Sequence, residues 1–174
     1  MGGVMGSKMT IEEYNKRFAA GKPVAKRSQR ESKMQTAVAK YVRAQYPRLI
    51  FFFDAAAGIS LNPKKSTRDK LIYHLISMWR SSEGIPDGFF AKPMAGYAGL
   101  FTELKTELNN PYLKDGSVST SKKVQKQHKV HEQLREDGYF VLFTVGVDHT
   151  IAVINWYMQG CVGECPKYIS KKSP

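Results

Sequence analysis

The sequence predicts an α/β fold, a small mixed β-sheet flanked by helices, and three observations lead there. Segments with apolar residues at helical spacing alternate with short apolar runs that lack it, in the order helix, strand, helix, strand, strand, helix, strand, helix. The two consecutive strands are joined by "PMAGYAG", a small-residue turn suited to a hairpin. The 174 residues are 42% hydrophobic, enough for one domain with its own core and too apolar for a disordered chain.

Each element follows from its residues. Residues 1–27 form a basic arm, expected to be partly ordered, with Lys8, Lys16, Arg17, Lys22, Lys26 and Arg27 opposed only by Glu12 and Glu13. A short helix at "MTIEEYNKRFAA" is the one regular element expected there, with Thr10 as its cap. The folded domain is expected over 28–160. Its first helix carries Met34, Val38, Tyr41 and Val42 on one face and stops before Pro47. "RLIFFFDAAAG" reads as a buried strand, and its three Phe rings as sheet core rather than as a base-stacking platform. "NPKKSTRDK" is a basic loop into a second helix, with Ser66 or Thr67 as cap and Leu71, Leu75, Met78 and Trp79 on its apolar face. "IPDGFFAK" and "AGLFTELK" are the hairpin strands. A third helix spans roughly Ser121–Asp137 and is stopped by Gly138. "YFVLFTVG" is a buried strand, "VDHTIAVINWYMQ" the last helix, and 161–174 a basic tail.

Lys and Arg total 27 against 15 Asp and Glu, a net charge of +12. That excess on a domain this small points to a polyanionic partner, nucleic acid first among them. No apolar run approaches the roughly 18 residues that span a bilayer, no signal-peptide core is present, and Gly6 stands where a myristoylation signal needs Ser or Thr. The expectation is a soluble, cytoplasmic protein with no membrane partner. Cys161 and Cys165 lack a second Cys or His pair and read as reduced residues in a mobile tail. No phosphate-binding glycine loop or dinucleotide fingerprint occurs. His128 and His131 lie three apart on the third helix with no further ligand at useful spacing, so a solvated face is expected; His74 and His149 read as packing or capping residues.

The chemistry concentrates in "EGIPDGFFAKPMAGYAGLFTELKTE". An antiparallel hairpin brings Asp87, at the start of one strand, to the same end as Glu103, late in the next. Two carboxylates that close repel unless a cation lies between them, and hard divalent ions take oxygen ligands. The strand period of two puts Lys105 on the face of Glu103, while Leu104 points into the core. Two carboxylates and an ammonium on one face suit metal-assisted phosphodiester hydrolysis.

"EGIPDGFF" followed by "LFTELKTE" resembles the Pro-Asp…Glu-X-Lys core of the restriction-endonuclease-like nuclease superfamily, PD-(D/E)XK. With "ESKMQTAVAKYVR" before it and "STSKKVQKQHKVHEQLREDGY" after it, the pattern is similar to the VRR-NUC family over roughly residues 30–146. That family includes stand-alone phage and bacterial nucleases and the nuclease domain of a eukaryotic interstrand-crosslink repair enzyme. The resemblance implies a restriction-endonuclease-like core with Asp87 and Glu103 as ligands of Mg²⁺ or Mn²⁺ and the Leu104 carbonyl as a further one. It implies Lys105 as the catalytic lysine and Glu31 as a helix-borne acid acting through metal-bound water. A helical Gln is also implied, Gln127 fitting best with Leu134 and Gly138, and Gln125 close behind. Val130 departs from the aromatic common three residues after that Gln.

By the same resemblance the protein is a structure-selective DNA endonuclease, a homodimer on four-way (Holliday) junctions or other branched DNA, in a bacterial cell or phage-infected host. Lys64, Lys65, Lys114, Lys122, Lys123, Lys126 and Lys129, in the loops and helix around the site, are the expected phosphate contacts. The competing readings are a basic DNA-binding protein without catalysis, and the same chemistry on flaps, single strands or RNA.

Overall fold

The computed structural model describes residues 26–54, 66–79 and 84–169. The basic arm before residue 26, Lys64 and Lys65, and the end of the tail lie outside the described residues. The elements follow the expected order: α1 (Lys26–Gln45), β1 (Phe51–Phe53), α2 (Thr67–Trp79), β2 (Gly88–Phe90), β3 (Leu100–Lys105), a 3₁₀ turn (Glu107–Asn109), α3 (Lys122–Glu136), β4 (Phe140–Val145) and α4 (Gly146–Met158). The four strands form one mixed sheet in the order β1-β2-β3-β4, antiparallel at the first two pairings and parallel at the third.

Alternation along the strands gives the sheet two different faces. On one, Phe90, Leu100 and Leu104 are buried against Val38 and Val42 of α1 and Val153, Ile154 and Tyr157 of α4, and this is the hydrophobic core. On the other, β3 presents Phe101, Glu103 and Lys105 beside Val141, Phe143 and Val145 of β4, with α3 packed over β4. Polar anchors tie α1 to α4: the Tyr41 and Tyr46 hydroxyls both donate to Asn155 Oδ1, at 3.1 and 2.8 Å.

Local chemistry sets the ends of the elements. Ser66 Oγ accepts from Asp69 N–H at 3.3 Å, so Ser66 caps α2. Ser121 caps α3 by accepting from Val124 N–H. At the far end Gly138 takes a φ of +86° while Tyr139 N–H reaches the Leu134 carbonyl at 3.0 Å, a Schellman close. The hairpin turns at Ala95 and Gly96, both with positive φ, between the reciprocal Met94–Tyr97 backbone bonds. His149, expected to pack or cap, lies within α4, and its Nδ1 accepts from Val145 N–H at 3.1 Å.

The structure corrects several expectations. β1 is an edge strand of three residues, not a fully buried one: Phe51 and Phe53 pack toward the core, but Phe52, pointing the other way, is 55% exposed. In α2, Leu71 is 59% exposed and so not part of a buried stripe; the side chains of Met78 and Trp79 lie outside the described set. His74 is exposed rather than packed. His131, expected on a solvated face, is fully buried. Cys161 and Cys165 are free thiols, half-buried against the core rather than in a tail that leaves it. No helix among the described residues is long and apolar enough to cross a membrane.

Candidate active site

β2 begins at Gly88, paired with Thr102, so Asp87 lies one step further out, across from Glu103. Two backbone contacts fix it there. Asp54 N–H donates to the Asp87 carbonyl at 2.6 Å, and Asp87 Oδ2 accepts from Leu104 N–H at 3.0 Å. The turn before it is pressed against α3: Gly84 has a φ of +95°, and a Cβ there would stand 3.2 Å from the Gln127 Cα, so only glycine fits both the angle and the space.

Glu103 and Lys105 share a face two residues apart on β3, and both are buried. Lys105 Nζ lies 2.7 Å from Glu103 Oε1. Gln127, from α3, donates its Nε2 to the same oxygen. The second carboxylate oxygen, Glu103 Oε2, is buried with no partner, as is Gln127 Oε1. Gln125, the close competitor, turns away and donates to the Ser119 carbonyl at 2.8 Å. Glu31, half-buried on α1, accepts from Asn109 Nδ2 at 3.5 Å, and its charge acts on Asp87.

The electrostatics match this crowding. Burial, and then the charge of Glu103, push the Asp87 carboxyl up to about 7. Burial also raises Glu103, opposed chiefly by the Lys105 ammonium and further by Lys123. Lys105 therefore serves two desolvated carboxylates, helped at Glu103 by Lys123, with a third carboxylate nearby at Glu31. Hard divalent cations suit such a deficit.

Among the described residues, no group of three or more His, Cys, Asp and Glu side chains converges as a metal cage. The oxygen-only set of Asp87, Glu103 and the Leu104 backbone fits instead an ion that keeps most of its waters, as Mg²⁺ does and a structural Zn²⁺ does not. The orphaned Glu103 Oε2 is the observation that bears on this fit directly: a buried carboxylate oxygen without a donor is costly unless something binds it.

Of the lysines expected at phosphates, Lys122, Lys123, Lys126 and Lys129 are exposed along α3, and Lys123 is near enough for its charge to act on Glu103. Lys114 lies elsewhere. It lines a separate cavity of about 1150 Å³ with Tyr112, His149, Cys165 and Tyr168, and that cavity shares no residue with Asp87, Glu103 or Lys105.

Sequence reasoning missed two residues here. Asn109, in the 3₁₀ turn after β3, contacts Glu31, and nothing in "TELNNP" marks it in advance. His131 lies one helical turn after Gln127, a spacing that could have placed it on the inward face. Its ring is 4.3 Å from that of Phe143, neither nitrogen has a partner, and burial pushes it down to about 3, so it is neutral.

No model of a known protein family matches the chain, and no curated protein does. A solved structure described as a VRR_NUC domain protein superposes with a TM-score of 0.47 at 18% identity, over 80% of this chain and 97% of that one. At those values the likeness adds nothing to what the residues' own geometry supports.

Proposed function

We propose that the chain is a Mg²⁺- or Mn²⁺-dependent DNA endonuclease of the restriction-endonuclease-like kind, selective for branched DNA and acting as a homodimer. One observation carries the reading: Asp87, Glu103 and Lys105 converge in a buried site that holds more carboxylate than it can neutralise. A structural ion pair has no need of the unpartnered Glu103 oxygen or of a second buried acid opposite it.

Asp87, Glu103 and the Leu104 carbonyl would hold the metal. Bound there, it would polarise a phosphate oxygen and lower the pKa of an attacking water. The chain's own groups do the rest. Lys105 keeps its ammonium fixed by Glu103, where it can steady a nucleophilic water and offset negative charge growing on the phosphate. Gln127 holds Glu103 in one rotamer through Oε1, leaving Oε2 without a donor. Glu31, whose charge acts on Asp87, would add a carboxylate that orders water at the margin. The exposed lysines of α3, together with the net charge of +12, would gather the phosphate backbone. A two-fold dimer would present two such sites to symmetry-related strands of a junction.

The test is cleavage of labelled four-way junction, flap, duplex and single-stranded DNA with Mg²⁺, Mn²⁺ or EDTA, wild type beside Lys105→Met. The expected result is metal-dependent cutting, strongest on the junction, reduced at least about 100-fold in the variant with DNA binding retained. Binding without cutting under every metal would leave a basic DNA-binding protein.

A further inference from the structure

The register of the sheet places an aromatic row next to the carboxylates. Phe52 pairs with Phe89, and Phe89 with Phe101, so the three rings stand on one rung across β1, β2 and β3. They share the face of Glu103 and Lys105, because Phe101 is two residues before Glu103 on the same strand. Ring centroids are 5.7 Å apart for Phe52–Phe89 and 4.4 Å for Phe89–Phe101, and Tyr139 closes edge-on against the latter two at 6.0 and 5.2 Å. Phe89, Phe101 and Tyr139 are half-buried and brace one another, whereas Phe52 is 55% exposed at the open end of the row.

An exposed ring on an edge strand invites aggregation, and proteins normally blunt such edges with charge. Here the ring is continuous with a braced row whose Phe89 and Phe101 stand one side-chain step, roughly 7 Å, from Asp87 and Glu103, and Phe52, one strand beyond Phe89, is roughly 8 Å from Asp87. That is within one nucleotide's reach from a phosphate to its base. We infer that Phe52, supported by Phe89, is a stacking platform for an unpaired DNA base next to the phosphate held at Asp87 and Glu103, an inference that rests on the nuclease reading.

The occupant follows from charge and shape. A DNA strand brings charge opposite to that of the +12 chain and a flat π-face for the ring. Only an unstacked base offers that face, so the platform selects strands at a branch or an end over continuous duplex.

The experiment measures binding alone, by fluorescence anisotropy in EDTA, on a four-way junction with unpaired bases at its crossover, a single strand and a fully paired duplex. Wild type is compared with Phe52→Ala, Phe52→Leu and Phe52→Trp. Phe52→Leu keeps the apolar bulk of the edge strand, so it also guards against a sheet that fails to form in the alanine variant. Stacking predicts that Ala and Leu both weaken binding to the junction and the single strand by about 5- to 150-fold, the loss of one base–aromatic stack. Trp retains the affinity, and the duplex is unaffected. Leu binding like wild type would overturn the platform, and so would equal affinity of all four proteins on every substrate. Dissociation of a dimer by Phe52→Ala in sedimentation equilibrium would also overturn it, assigning the ring to a second copy. Because no metal is present, these results are independent of whether the wild type cuts: cleavage by the wild type together with an inert Phe52 would sink this inference and leave the nuclease reading standing.

Discussion

Replacing Asp87 by Asn should destroy the activity and stabilise the fold, and the structure gives the size of the second effect. Folding takes the Asp87 carboxyl from 3.8 to about 7, so the folded state holds its proton where the unfolded chain has lost it. Asp87's own contribution to the stability of the metal-free protein therefore falls as pH rises from about 4 to about 7 and levels off above that. A rise of this size corresponds to at most roughly 4 kcal/mol. Asn is nearly isosteric, has no charge to desolvate, and still offers a carbonyl to the Leu104 N–H that Asp87 Oδ2 now accepts. At pH 8 in EDTA the variant should thus unfold later in urea than wild type by up to that amount, and at pH 4 the two should coincide. Metal narrows the gap: saturating Mg²⁺, at a hundred times its Kd, stabilises the wild type by about 2.7 kcal/mol. The Asn variant should gain little of this. Paired urea titrations at pH 4 and pH 8, with Mg²⁺ or EDTA, measure all four quantities. A variant no more stable than wild type at pH 8, or a gap of the same size at both pH values, would refute the claim that Asp87 is a desolvated acid held in place for a cation.

Two further outcomes follow from the same site. Gln127→Ala should lower cleavage and cost about 1–3 kcal/mol, since it takes a donor from a buried carboxylate, whereas Gln125→Ala, which loses a contact to the exposed Ser119 carbonyl, should change neither beyond about 0.5 kcal/mol; activity and urea midpoints of the two separate them. His131→Leu should raise stability by about 1–3 kcal/mol at neutral pH by removing two buried nitrogens that find no partner. Wild type holds His131 neutral down to about 3 while the unfolded ring titrates near 6.5, so this ring's contribution to stability falls as pH drops through that window; melting curves at pH 7 and pH 5 should show the leucine variant keeping more of its stability at pH 5.

The fold was legible in the sequence wherever periodicity and turn chemistry agreed. The β2–β3 hairpin, the capped third helix with its glycine stop and the apolar β4 fell where their residues placed them. β1 misled because "FFF" has no alternation of its own; only pairing with β2 reveals that the middle ring faces away from the core. Leu71 misled because helical spacing says which residues share a face but not whether anything packs against it. At the site, strand parity was enough to put Glu103 and Lys105 together. The contest between Gln125 and Gln127 was not soluble from sequence, since both lie on the same helix and two residues turn a helix by about 200°. Gln127 is the one that reaches Glu103, beside a turn where a Cβ on Gly84 would stand 3.2 Å from the Gln127 Cα.

The division of labour between the two sheet faces explains how so polar a cluster is tolerated. Leu104 sits in the core between Glu103 and Lys105, and its apolar neighbours Phe90, Leu100 and Ile154 hold β3 from below. A slip of one residue along β4 would bring Leu104 out and drive both charges into that core, so register is strongly enforced by the very residues that do no chemistry. The site face then needs no packing optimum of its own. It carries a raised carboxyl, a carboxylate oxygen without a donor and a neutral buried imidazole, each of which costs stability. Three such costs on one face, against a single unpartnered hydroxyl, that of Thr102, on the other, are what a sheet shows when its groups are fixed for a ligand rather than for each other.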